Sequence, residues 1–186
     1  MNVCVFCGSG VGHNPIYSFA AKELALLFCQ TNTTLVYGGG NIGLMGILAD
    51  EVLKNKGSVI GVIPDFLVQR EVAHRHITRL EIVNSMHDRK KRMADLSDAF
   101  IAMPGGMGTV DELAEILTWK QLKLIKQPVG LLNINSFFNP LVRQMEIMVE
   151  SGFLKEENFK ELQIHETPAK LLTSLGVIAS EAPSQY

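Results

Sequence analysis

The chain has 186 residues, of which 47% are hydrophobic and 19% charged, and its formal net charge is -2. That balance fits a folded domain and excludes a disordered chain. It also gives the molecule no overall attraction to nucleic acid or to an anionic membrane. No apolar run approaches the roughly 18 residues a membrane span needs. The start, Met1 to Phe6, reads as a strand rather than a basic leader, so no export signal is expected. The three cysteines are an odd, low number, which points to reduced thiols and a cytoplasmic protein. Residues 1–179 read as one domain and residues 180–186, small and polar, as a disordered tail.

Residues 2–7 form an apolar strand ended by Gly8-Ser9-Gly10. Cys4 and Cys7 have C-x-x-C spacing, but in a strand their side chains would point to opposite faces, so they read as buried thiols. A helix is expected over 15–30, where Phe19, Leu24, Leu27 and Phe28 recur at helical spacing and Pro15 suits the first turn. Strand 34–37 runs into Gly38-Gly39-Gly40-Asn41-Ile42-Gly43, and a helix follows over about 44–55. Strand 59–63 closes at Pro64-Asp65. Residues 66–79 read as a polar loop with a short helix, and 80–83 as a short strand. Ser85 is placed as an N-cap, with Asp88 three residues on, for a helix running to about Leu96. Strand 99–103 leads into Pro104-Gly105-Gly106-Met107-Gly108-Thr109-Val110-Asp111-Glu112 and a helix over 110–125. Strand 128–132, helix 137–150, strand 162–165 and a last helix from Pro168 to Leu175 complete the chain.

Alternating strands and helices, with short and fully apolar strands, imply an α/β fold: three layers, Rossmann-like, with a mainly parallel central sheet. In such sheets ligands bind at the carboxyl ends of the strands, near a switch in strand order. The glycine-rich turns at 8–10, 38–46 and 105–108 all follow strands, so all should open on one edge.

The match of Gly38 to Gly43 to G-x-G-x-x-G is weak evidence for a dinucleotide, because it follows the second strand and the next one ends in Pro64-Asp65 rather than with the acidic residue that would hold a ribose. An NAD-dependent oxidoreductase is therefore disfavoured, and the run is expected to contact phosphate or ribose. Around Gly105 to Glu112, backbone N–H groups at a helix start can cradle a phosphate. Thr109 and Glu112 also have capping-box spacing. Two adjacent carboxylates, Asp111 and Glu112, need a nearby cation if an anion is to bind beside them. Arg89 supplies one: Met86, Arg89, Met93 and Leu96 share one helix face, so Arg89 points inward and needs an anionic partner, in a structural ion pair or at a ligand. On helix 110–125, Val110, Leu113, Ala114, Leu117 and Leu124 are assigned to the core. Trp119, with Ile116 and Leu122, forms a second apolar face that suits a homodimer. His74 and His76 lack metal-ligand spacing and are placed on the surface or the site rim. No metal and no cofactor is expected.

These residues resemble the Lonely Guy (LOG) family. Residues 104–112 resemble its PGGxGTxxE signature, Tyr37 to Gly46 its second glycine-rich segment, Met86 to Lys90 its M-x-x-RK element and Thr118 to Leu122 its TWxQL. The motifs occur in the family's order between Val3 and about His165. The resemblance implies a Rossmann-like dimer that hydrolyses the N-glycosidic bond of cytokinin riboside 5'-monophosphates, with AMP as a further substrate. It implies catalytic roles for Arg89 and Glu112, and substrate contacts from Glu71, Lys90, Gly106 to Glu112 (Met107, Gly108, Thr109, Val110 and Asp111 among them) and Thr118. Gly105, Gly8, Ser9, Gly39, Gly40 and Asn41 join the expected binding set from the glycine-rich turns. Where many members carry a second serine after Ser9, this chain has Gly10. Members have often been labelled lysine decarboxylases, yet no pyridoxal phosphate lysine motif is visible. The competing expectation is a nucleotide-binding or molybdenum-cofactor carrier protein, since related folds include such carriers.

Overall fold

The computed structural model describes residues 1–68 and 73–179. Strand β1 (Asn2–Phe6) is followed by α1 (Ile16–Gln30), β2 (Thr34–Tyr37), α2 (Gly43–Lys54) and β3 (Val59–Pro64). Then come β4 (Arg79–Val83), α3 (Met86–Asp95), β5 (Ala99–Ala102) and α4 (Met107–Gln121). The chain ends with β6 (Val129–Leu132), α5 (Asn139–Glu150), α6 (Glu156–Lys160), β7 (Leu162–His165) and α7 (Pro168–Ser174). Short 3-10 turns lie at Asp65–Leu67 and Ile134–Ser136. The expected elements are present, and α6 is an addition the periodicity did not reveal. The expected tail at 180–186 lies outside the described residues.

All seven strands pair in parallel, in the order β4-β3-β2-β1-β5-β6-β7. Succession runs outward from β1 to β4 and then restarts on the other side at β5. The crevice between β1 and β5 is therefore the switch point where such sheets bind ligands. Strand alternation builds the two faces. Val3, Val5 and Cys7 join a core with α1, α2 and α7, while Cys4 and Phe6 join the opposite core with α3, α4 and α5. The two thiols do part to opposite faces, and neither forms a disulfide. Burial pushes both above the usual thiol range, and the negative charge of Glu112 adds to it. Phe6 stacks on Phe100 across the β1–β5 pair, with centroids 6.2 Å apart.

Two expectations for α4 are corrected. The helix starts at Met107 with Gly106 as its N-cap and no side-chain cap, so Thr109 lies inside the first turn and the capping box does not form. An open glycine cradle lets the helix begin earlier than a threonine cap would. Its core stripe is Thr109, Leu113 and Ile116. Ala114 is exposed, and Leu124 lies beyond the helix end. Apolar residues cover a wide arc of this helix, and a helical wheel cannot say which part of that arc the sheet takes. The placement of His74, though not that of His76, is corrected too. His74 is buried, with Nε2 2.9 Å from Asp50 Oδ1 on α2, whereas His76 is exposed. Asp50 comes from α2, more than twenty residues earlier, so local spacing could not reveal the pair.

Candidate active site

A cavity of about 260 Å³ opens at the β1–β5 switch point. Arg89 enters it from α3, Glu112 and Thr109 from α4, and Gly8 and Ser9 from the turn after β1. Gly106, Met107 and Gly108 form the start of α4 at its edge. The first turn of a helix presents N–H groups with no intrahelical acceptor, at the positive end of the dipole. A methyl built on Gly106 or Gly108 would meet no atom within 4 Å, so the cradle is open backbone. Gly105 is different. It packs against Thr109 and the Gly8 amide, where no side chain would fit. The Gly8 amide donates to the Pro104 carbonyl at 3.1 Å, which ties the two loops of the crevice together.

Arg89 reaches this place through local rules. The Ser85 hydroxyl accepts from the Asp88 amide at 3.0 Å and donates to the Asp88 carboxylate at 2.8 Å, which fixes the start of α3. Arg92, one turn on, grips Glu81 of β4 through bonds of 2.7 and 3.2 Å, and these hold the Glu81 carboxyl below its usual range. Arg89 then points inward and is 5% exposed. Its Nε donates to the Val62 carbonyl at 3.1 Å and its Nη2 to the Gly38 carbonyl at 2.8 Å. Arg89 and Glu112 flank Cys7 with opposite effects: the carboxylate raises its pKa and the guanidinium lowers it. Among the described residues, the cavity is lined by one cation and one carboxylate, and Arg89 is buried there, where charge interactions are stronger than in water.

Not every expected residue gathers here. Gly105 lines an adjoining, mainly apolar cavity of about 290 Å³ with Gly8, Ser9, Gly106, Tyr17 and Phe137. Lys90 is turned to α4, with Nζ 3.1 Å from Asp111 and 3.2 Å from Glu115. Burial opposes its charge, but those bonds outweigh it and raise its pKa. Asp111 is therefore neutralised outside the cavity, and the carboxylate problem posed by the sequence reduces to Glu112 alone. Gly39, Gly40 and Asn41 do not line the cavity. The Gly39 carbonyl accepts from the His74 amide at 2.9 Å, and Gly40 bridges Ala73. Val110 and Thr118 face a groove on the far side of α4. Glu71 lies outside the described residues. Of the run from Gly38 to Gly43 only Gly38 lines the cavity, and the sequence reading did not name as site residues Val5, Phe6, Cys7, Met45, Leu67 and Met86, which line it too. Met86 had a usable signal, since it shares a helix face with Arg89; the others depend on long-range packing. Among the described residues, no cluster of His, Cys, Asp and Glu could hold a metal ion, and no helix is long and apolar enough to cross a membrane.

A family model described as "Possible lysine decarboxylase" matches residues 45–175. The chain is 44% identical, over 93% of its length and 71% of the relative's, to a probable cytokinin riboside 5'-monophosphate phosphoribohydrolase, LOGL2, of Oryza sativa subsp. japonica. It is 47% identical, over 82% of its length and 71% of the relative's, to the cytokinin riboside 5'-monophosphate phosphoribohydrolase LOG1 of Arabidopsis thaliana. Among solved structures, the molybdenum cofactor binding protein of Rippkaea orientalis superposes with a TM-score of 0.69 at 22% identity, covering 96% of this chain and 97% of that one. The molybdenum cofactor carrier protein of Chlamydomonas reinhardtii gives 0.70 at 18%, covering 96% and 98%. At those identities the structures show a shared fold and nothing of ligand. Sequence identity to named relatives across most of both chains decides the family: this chain belongs to the Lonely Guy (LOG) family.

Proposed function

We propose that this chain is a nucleoside 5'-monophosphate phosphoribohydrolase, cleaving the N-glycosidic bond of cytokinin riboside monophosphates, and of AMP, to free base and ribose 5-phosphate. The observation that carries the reading is the meeting of Arg89, Glu112 and the open start of α4 in one cavity at the switch point. The cavity and the adjoining one share Gly8, Ser9 and Gly106 and together reach the size range of small-molecule sites, about 300–1,000 Å³.

The chemistry follows from the geometry. Leaving of the base puts positive charge on the ribosyl C1' and ring oxygen and negative charge on the base nitrogen. The Glu112 carboxylate stabilises the first and directs water to C1'. Arg89 balances the negative charge, on phosphate or on the departing base. The C1'–N bond breaks with its electron pair going to the base, water supplies the hydroxyl at C1', and its proton ends on the base. The backbone of Gly106 to Thr109 holds the 5'-phosphate, with Ser9 across the crevice. Gripping the phosphate orients the sugar at a distance from the reacting bond. The chain incubated with isopentenyladenosine monophosphate and with AMP is expected to release free base from both; ligand retained with no base released would favour a carrier instead.

The same reading includes a homodimer. Ile116 is in the core, and Trp119, the expected interface residue, is partly buried against it as Leu117 is, while Leu122 and Leu124 are exposed. The side of Val110, Ala114 and Leu117 walls a second apolar groove, of about 390 Å³, with Leu141, Met145 and Met148. Thr118, given a substrate contact by the family resemblance, lines this groove rather than its own chain's cavity, so that contact would come from a second copy. Light scattering after size exclusion is expected to give about twice the 20.5 kDa chain mass; a purely monomeric protein would remove the dimer. The three unpaired thiols support a cytoplasmic setting.

A further inference from the structure

Gly38 is the first glycine after β2, and its backbone does not demand glycine. The glycines with positive φ include Gly39 at 75° and Gly43 at 63°, but not Gly38. Space is what it supplies. A methyl group built on Gly38 would overlap Arg89 Nη2 and lie 3.0 Å from Arg89 Cζ. The next neighbour, Met45 Sδ, is 3.3 Å away and belongs to a flexible thioether that can give way. The guanidinium has less freedom. It is buried, its Nε is bonded to Val62 and its Nη1 is 3.7 Å from Met86 Sδ. The Gly38 carbonyl accepts from that same Nη2. One residue therefore supplies both the vacant volume and the acceptor that set the angle of the guanidinium about its Nε anchor.

We propose that Gly38 is a positioning residue for the hydrolysis: its missing side chain is the slot that holds the Arg89 guanidinium at the reacting centre, and its carbonyl fixes the orientation there. The claim rests on the reading of Arg89 as a catalytic group. A methyl at 38 breaks the Nη2 bond and turns the guanidinium by a distance of ångström scale. Displacements of that size cost roughly 100-fold in rate when the group acts on the transition state. The phosphate cradle lies on α4 and is untouched, so KM for AMP is expected to stay within about threefold.

The test is a double-mutant cycle of Gly38→Ala and Arg89→Lys, read as kcat and KM for base release from AMP and as Tm. Lysine ends near the place of Cζ and leaves the Nη2 volume empty. Gly38→Ala is expected to lower kcat by roughly 100-fold in the native background and by less than about twofold in the Arg89→Lys background. Equal losses in the two backgrounds, or an unchanged kcat in Gly38→Ala alone, would overturn the positioning role. If Gly38→Ala does not fold, recovery of folding by Arg89→Lys supports it, and failure in both backgrounds overturns it. A native kcat in Arg89→Lys alone is a different result: it removes Arg89 from the reaction and with it the premise.

Discussion

Two glycine-rich runs face the same crevice and do opposite work. In Gly38 to Gly43, added methyl groups meet protein: Arg89 at Gly38, Ile63 at 3.1 Å at Gly39, and the Ser9 backbone at Gly43. In Gly105 to Gly108, Gly105 is packed, while Gly106 and Gly108 look into open space beside Arg89 and Glu112. The first run lets protein approach protein; the second leaves backbone bare for a ligand. A glycine pattern alone does not distinguish a packed turn from a phosphate cradle. What fills the space where Cβ would stand does.

The largest effect that could break this division lies in the chemistry of the open run. Glu112→Gln keeps the cavity's shape and removes the charge, so kcat is expected to fall about 10³-fold with KM for AMP little changed. Steady-state assay of base release checks it, and near-native turnover would take Glu112 out of the mechanism. The filled run should answer in stability. Gly43 has φ of 63°, and a methyl there collides with the Ser9 backbone. Gly43→Ala is expected to cost roughly 3 kcal/mol. At about 2–4 °C per kcal/mol for a chain of this size, Tm should fall by roughly 6–12 °C in calorimetry. Gly108→Ala, in the open run, should leave Tm within about 2 °C, because such sites cost no more than ~0.5 kcal/mol. Its methyl would stand where the phosphate is held, so KM should rise about tenfold, worth ~1.4 kcal/mol. If Gly43→Ala left Tm unchanged, or Gly108→Ala lowered it as much, the two runs would not differ in kind.

Much of this was legible in the sequence where the signal is local. Alternating apolar strands and helices set the parallel sheet, and Ser85 with Asp88 marked the start of α3. The inward direction of Arg89 followed from Met86 and Met93 sharing its face. The signals failed where distant packing decides. Thr109 to Glu112 has capping-box spacing, yet helix formation starts earlier at an uncapped glycine. Ile116 looked like part of the Trp119 face, but α4 offers two apolar stripes and the sheet takes the one with Leu113 and Ile116. Gly38 was visible as one glycine of a run, while its partner, Arg89, lies 51 residues away. Lys90 and Asp111, both expected at the substrate, form an ion pair between α3 and α4 and do not line the cavity, which local spacing could not show.

The central claim is that the open start of α4 binds the 5'-phosphate and that this grip drives cleavage at the sugar. Comparing kcat/KM for AMP and adenosine under one assay tests it most directly. Charge-assisted bonds at about 1.5–3 kcal/mol each make the loss of two or more worth on the order of 4 kcal/mol, or about 10³-fold. A preference of that order for AMP is the expected result; equal turnover of adenosine and AMP would contradict it.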